Sequence, residues 1–131
     1  MKVKSHTDLE QSRKLTEILP PESADMYLKA DDPSGENYSP YFGESFSISH
    51  NLFSFRKGLT IPCWSLAALF DTLPKTIGDY SKMMGYYDDA YHCDYINEDG
   101  ECIGWGEGIG TTADNLIDAV YEMVINLNKP K

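Results

Sequence analysis

Lysine and arginine are missing from the whole stretch between Lys82 and Lys129, although it carries ten acids: Asp88, Asp89, Asp94, Glu98, Asp99, Glu101, Glu107, Asp114, Asp118 and Glu122. The other 11 acids are offset by the 11 Lys and Arg, so the formal charge of −10 belongs to this one stretch. Such a surface repels phosphate, and no nucleic acid is expected as a partner. The acids either keep the chain soluble or address a basic partner, mimicry of a DNA backbone included. No apolar run approaches the ~18 residues of a membrane-crossing helix, so no membrane partner is expected. Cysteine is scarce and odd in number, with Cys63, Cys93 and Cys102 at no framework spacing. Reduced thiols and a cytoplasmic location are the expectation. The opening Met1–His6 leads into a charged helix and not an apolar core, so no signal peptide is expected.

Catalytic and cofactor signatures are equally thin. Gly106-Glu107-Gly108-Ile109-Gly110-Thr111-Thr112 superficially resembles a phosphate loop, but it lacks the lysine that a P-loop requires, and its glycine spacing misses the dinucleotide fingerprint. The turn Asn97–Glu101 lacks the alternating acids of a calcium loop. No Ser, Cys or His sits in a nucleophile motif. No catalytic residue and no cofactor are expected.

What is present describes a globular chain. Apolar residues make up 41% and aromatics 12% of 131 residues, enough for a single domain over 1–131 with its own core. Thr7-Asp8-Leu9-Glu10 reads as a capping box, with a helix running to about Leu19 before Pro20-Pro21 stops it. Asp25–Lys29 reads as a short strand. Asp31–Pro40 is a polar loop rich in turn formers. Glu44–Ile48 and Asn51–Arg56 are candidate strands. Ser65 suits the N-cap of a helix over Leu66–Leu73, with Trp64 and Leu69 at the two positions of a hydrophobic staple. Residues 75–87 are ambiguous.

Tyr91–Asn97 and Glu101–Glu107 form a hairpin around Asn97-Glu98-Asp99-Gly100, whose Asn and Gly fit a type I turn with a left-handed glycine bulge. That turn pairs Asn97 with Glu101. Tyr91, Cys93, Tyr95, Ile103 and Trp105 then share one face, and His92, Asp94, Ile96, Cys102, Gly104 and Gly106 share the other. Thr111 reads as the N-cap of a last helix, with Asp114 as its N3 acid and Leu116, Val120, Met123, Val124 and Leu127 along one face, widened by Ile117 and Tyr121.

Two site hypotheses follow from that register. Gly104 and Gly106 leave a strip without side chains, where another part of the chain or a ligand could approach, with Tyr91 as a further ligand-binding candidate. His92 and Asp94 are metal candidates, joined by Asp88 if the strand extends back. The tyrosines Tyr80, Tyr86, Tyr87, Tyr91 and Tyr95 form a third feature, fitted to an amphipathic interface.

The segments Ile61–Pro74, opening Ile-Pro-Cys-Trp-Ser-Leu, and Thr112–Met123, containing Asp114-Asn115-Leu116-Ile117-Asp118-Ala119, resemble small uncharacterised bacterial proteins of prophages and other mobile elements. The resemblance covers about a third of the chain and implies a helix, a hairpin and a second helix, with no activity to transfer. The expectation is an α+β domain: an antiparallel sheet of about three to five strands with three helices packed mainly on one face. Functionally, a non-enzymatic cytoplasmic protein acting through a protein interface is expected, with a protein partner or itself as a homodimer. The alternative is a small-ligand or divalent-metal binder using the face of His92, Asp94 and the glycine strip.

Overall fold

The computed structural model describes residues 4–31, 37–42, 60–102 and 111–128. Among them are three α-helices and two antiparallel sheets, an α+β architecture. The strands divide into a three-stranded and a four-stranded sheet, where one sheet was expected. The chain forms two compact units: one spans His6–Ala68, and the other takes Leu69 onward together with the first residues of the chain.

In the first unit, α1 (Leu9–Leu15) begins at Asp8, whose carboxylate accepts from the Gln11 N–H while the Gln11 side chain accepts from the Asp8 N–H. The capping box therefore lies one residue later than Thr7-x-x-Glu10. Thr7 is buried instead, within hydrogen-bond distance of the Ser12 hydroxyl at 2.8 Å and accepting from the Trp64 N–H at 3.1 Å. The helix is shorter than expected, and turns replace it beyond Leu15.

Strands β1 (Met26–Ala30), β2 (Tyr38–Phe42) and β3 (Thr60–Cys63) pair in the order β2-β1-β3. The strand expected at Asp25–Lys29 is β1. The expected loop over Asp31–Pro40 is too long, because Tyr38–Pro40 pair with Leu28–Ala30. The candidate strands Glu44–Ile48 and Asn51–Arg56 lie outside the described residues. All four residues of β3 are buried, so it shows no polar alternation to read. Pro62, which has no N–H to give a ladder, sits in the outer of the described strands of this sheet. Met26, Leu28, Ile61 and Cys63 form the core, with Leu9 and Tyr38 packed against it. Trp64 is fully buried, and its indole N–H donates to the Ser23 hydroxyl at 2.9 Å.

Helix α2 (Leu66–Asp71) follows Ser65, whose hydroxyl oxygen accepts from the Ala68 N–H as an N-cap should. Asp25 braces that cap, accepting from both the Ser65 N–H and its hydroxyl.

The second unit contains β4 (Thr76–Ile77), β5 (Tyr80–Tyr87), β6 (Ala90–Ile96) and β7 (Thr111–Ala113), in the order β4-β5-β6-β7, and α3 (Leu116–Leu127). The ambiguous segment 75–87 thus supplies the longest described strand. The Lys82 ammonium donates to the carbonyls of Phe70 and Leu73 at 2.7 and 3.2 Å, satisfying the end of α2. Helix α3 packs on β6 and β7. It buries Ile117, Ala119, Val120, Met123 and Val124, a face rotated slightly from the expected one, since Leu116 and Leu127 are only partly buried.

The N-cap of α3 is Asn115 and not Thr111. Asn115 Oδ1 accepts from the Asp118 N–H at 2.8 Å. Thr111 lies in β7, buried, and its hydroxyl donates to the carbonyl of Ala119.

The turn at Asn97 is as expected. The Gly100 N–H donates to the Asn97 carbonyl, the Asn97 N–H donates to the Glu101 carbonyl, and Gly100 has φ of 79°. Ile96 bridges Cys102 in the register that pairs Asn97 with Glu101. The continuation through Ile103, Gly104, Trp105 and Gly106 lies outside the described residues.

Candidate functional site

The β5–β6 hairpin brings together most of the chemistry-bearing residues that the core does not absorb. Tyr86 pairs with Tyr91, Tyr87 with Ala90, and Asp88-Asp89 form the connecting two-residue turn. Both aspartates have positive φ, 51° and 61°. This is the backbone of a type I′ turn, whose twist suits the flanking strands but which normally selects Asn-Gly. Asp88 therefore does not extend β6 backwards toward His92 and Asp94, as a longer strand would require.

On one face lie Tyr87, His92 and Asp94. The Tyr87 and His92 rings stack with centroids 3.8 Å apart and planes 7° from parallel. The His92 Nε2–H donates to the Tyr87 carbonyl at 2.9 Å, since a carbonyl can only accept. That leaves Nδ1 facing Asp94 Oδ2 at 4.0 Å. Asp94 is 6% exposed, and the Tyr87 hydroxyl donates to its Oδ2 at 2.5 Å. Burial, and next the Asp94 carboxylate it faces, hold the Tyr87 hydroxyl well above its ordinary pKa. It is a firmly protonated donor and a poor nucleophile or base.

The sequence candidates His92 and Asp94 thus share a face as expected, but Asp94 is a buried, partnered carboxylate. One His92 nitrogen and one Asp94 oxygen are already committed. Among the described residues no group of three or more His, Cys, Asp and Glu is placed to hold a metal. Gly104 and Gly106 lie outside the described residues, and Tyr91 belongs to the other face of the hairpin.

That other face carries Tyr86, Tyr91, Cys93 and Tyr95. It is buried at Cys93 and Tyr95 and becomes exposed toward the tip. The Tyr95 hydroxyl donates to the Pro74 carbonyl, which removes Tyr95 from any interface. Tyr86 is 60% exposed and packs on Tyr91 with centroids 4.8 Å apart and planes 57° apart. The expected tyrosine surface is therefore narrower than the sequence suggested: Tyr86 and Tyr91 on one side of the tip, Tyr87 on the other.

Three further features were not legible in the sequence. In the first unit, Cys63 Sγ lies 3.6 Å from His6 Nδ1, a Cys–His proximity across 57 positions. It is not a catalytic pair. The His6 Nδ1–H donates to the Thr7 carbonyl, so that nitrogen cannot take a proton from sulfur. Cys63 is wholly buried, and burial raises its thiol pKa. The same unit shows a second aromatic surface on β2, where Tyr41 stacks on Tyr27 at 5.4 Å and Phe42 is 81% exposed. In the second unit, Asp79, Asn97, Glu98 and Asp99 line an open depression of about 410 Å³. The Asn97 side-chain oxygen there is occupied by the N–H groups of Asp99 and Glu101.

No helix among the described residues is long and apolar enough to cross a membrane. Comparison with protein-family models, with curated proteins and with solved structures returns no match.

Proposed function

We propose that this is a non-enzymatic cytoplasmic protein that acts through a protein interface, and that the tip of the β5–β6 hairpin is that interface. The observation that carries the reading is the exposed Tyr86 ring, held against Tyr91 and left outside the core. A tyrosine costs little conformational entropy to immobilise and offers both an apolar face and a polar tip, which is why interfaces favour it. The reduced state of all three cysteines agrees with a cytoplasmic setting. The partner is another protein or a second copy of the chain. The resemblance to mobile-element proteins is compatible with such a role and adds no activity to it.

A photo-cross-linking residue placed at position 86 in the native host tests the proposal, with one at the exposed Glu122 as control. A partner captured at 86 and not at 122, and lost from the Tyr86→Ala protein on pulldown, is the expected result. Identical products at both positions, together with a strict monomer by light scattering, would remove the reading.

A second reading, a small-ligand or divalent-metal site at His92 and Asp94, is favoured by the burial of Asp94 beside an imidazole. It requires the Tyr87 hydroxyl to give up Asp94. Thermal shifts with zinc and manganese on the native protein and on His92→Ala decide it: an ion-dependent shift abolished by the substitution supports it, and no shift ends it.

A further inference from the structure

We infer that the hairpin tip takes an arginine side chain from a basic segment of the partner; this rests on the proposal that the tip is an interface and names what it recognises. Two independent features meet there. The first is the exposed Tyr86 ring, 60% accessible and tilted 57° against the half-buried Tyr91. A guanidinium stacks on such a ring through its delocalised charge and its planarity. The second is uncompensated charge. Asp88 and Asp89 are exposed in the turn that joins the two tyrosine-bearing strands, and neither forms an ion pair or hydrogen bond with any described residue. Two other acids of the stretch differ in setting. Asp94 is buried against Tyr87, and Asp118 accepts from the Lys4 ammonium at 2.7 Å.

The one described lysine on the hairpin, Lys82, is committed to the carbonyls of Phe70 and Leu73, with its ammonium 4.4 Å from the Phe70 ring centre. No described lysine or arginine forms an ion pair with the tip carboxylates, and the aromatic surface and the carboxylate pair complement the two properties of one arginine. A phosphate-bearing ligand would meet the same carboxylates as repulsion. Tyr and Arg are also the residues most often found to dominate interface energies.

The test uses the full chain and a short peptide of alternating arginine and glycine, with a glutamate–glycine peptide as control, followed by amide chemical-shift titration. The expected result is binding of the arginine peptide alone, with shifts centred on residues 86–91. Tyr86→Ala should weaken it about three- to fivefold, as expected for one exposed cation–aromatic contact. Asp88→Asn/Asp89→Asn should weaken it similarly and flatten its salt dependence. Asparagine tolerates positive φ, so this pair keeps the turn and tests charge alone. Glu98→Gln/Asp99→Asn, at the other hairpin turn, should leave binding unchanged.

Absence of arginine binding, or equal weakening by the Glu98/Asp99 pair, overturns the inference. So does a dimer by light scattering that Tyr86→Ala dissolves, since the occupant is then a second copy. A partner cross-linked at position 86 through a segment without basic residues would overturn the arginine assignment and leave the interface standing. No cross-link at that position would remove the interface itself.

Discussion

Tyr87 joins two kinds of contact on one strand face: its ring stacks on His92 and its hydroxyl satisfies the buried Asp94. Removing the hydroxyl leaves a buried carboxylate without that donor, and an unmet buried group costs more than the net worth of the bond. Tyr87→Phe should therefore destabilise the protein by about 1–3 kcal/mol in urea melts. Combined with Asp94→Asn, the loss should be clearly less than the sum of the two singles, because each disrupts the same contact. Strict additivity would show that the bond is not formed in solution. The cysteines make a second residue-level case. Cys63 and Cys93 are fully buried, burial raises both thiols, and Cys93 is pushed up to about 12 with Asp94 contributing next. The thiolate is the reactive form. At pH 8 a disulfide reagent should find at most Cys102 in the native protein and all three thiols in guanidinium. Rapid native labelling of two or more would contradict the packing at Cys63 or Cys93.

Helix starts show how local rules shift by a few residues once strands compete for the chain. The motif Thr7-x-x-Glu10 satisfies a capping pattern, yet the buried hydroxyl of Thr7 is used by Ser12 and Trp64, and Asp8 caps with Gln11. Likewise Thr111 could cap a helix by type, but β7 claims it by pairing Thr111 with Cys93, and Asn115 takes the cap. Asn115→Ala should therefore cost about 1 kcal/mol, while Asp114→Ala, exposed and outside the helix, should stay within about 0.5 kcal/mol. Thermal melts of the two variants check this; a larger loss at Asp114 would restore the earlier cap. The β5–β6 hairpin escaped the sequence for a related reason. Tyr80–Tyr87 contains lysine, two methionines and a glycine without clean alternation, and Asp-Asp is not a recognised type I′ signal. The hairpin at Asn97 was legible because Asn and Gly occupy the two positions where turn chemistry is most restrictive.

For the molecule as a whole, stability should decline on the alkaline side. Burial, and after it Asp94, move Cys93 from 9.0 to about 12, and burial, then Cys93, moves Tyr95 from 10.0 to about 12. A group whose folded pKa lies above its unfolded value contributes fully below the unfolded value, and the contribution disappears as pH climbs through the folded one. For Cys93 that window is 9 to 12. Between pH 8 and 10.5 the protein should lose roughly 2 kcal/mol from Cys93 alone, measured by urea melts. Cys93→Ala should be less stable at pH 8 but show a shallower decline, and an unchanged slope would assign the effect elsewhere. The charge of −10 belongs at this level too. It is spread over sites of different fate: some acids are buried or paired, while those in the turns at Asp88-Asp89 and Glu98-Asp99 remain exposed.

Residue order alone settled the α+β class, a strand read at Asp25–Lys29 and found at Met26–Ala30, the Ser65 cap and the Asn97–Gly100 turn. Each depends on forces acting within a few positions: helical or strand periodicity, a cap, or a φ that few residues tolerate. The division into two sheets, the burial of all four residues of β3, the Cys63–His6 approach and the enclosure of Asp94 by Tyr87 were decided by tertiary packing. The first three depend on pairings between segments far apart in the chain. In the last, only seven positions separate Tyr87 from Asp94, but their meeting depends on the strand register and on a turn in which two aspartates adopt positive φ. Solvent exclusion then determines which polar atoms must find partners, and that requirement exists only after the strands have paired.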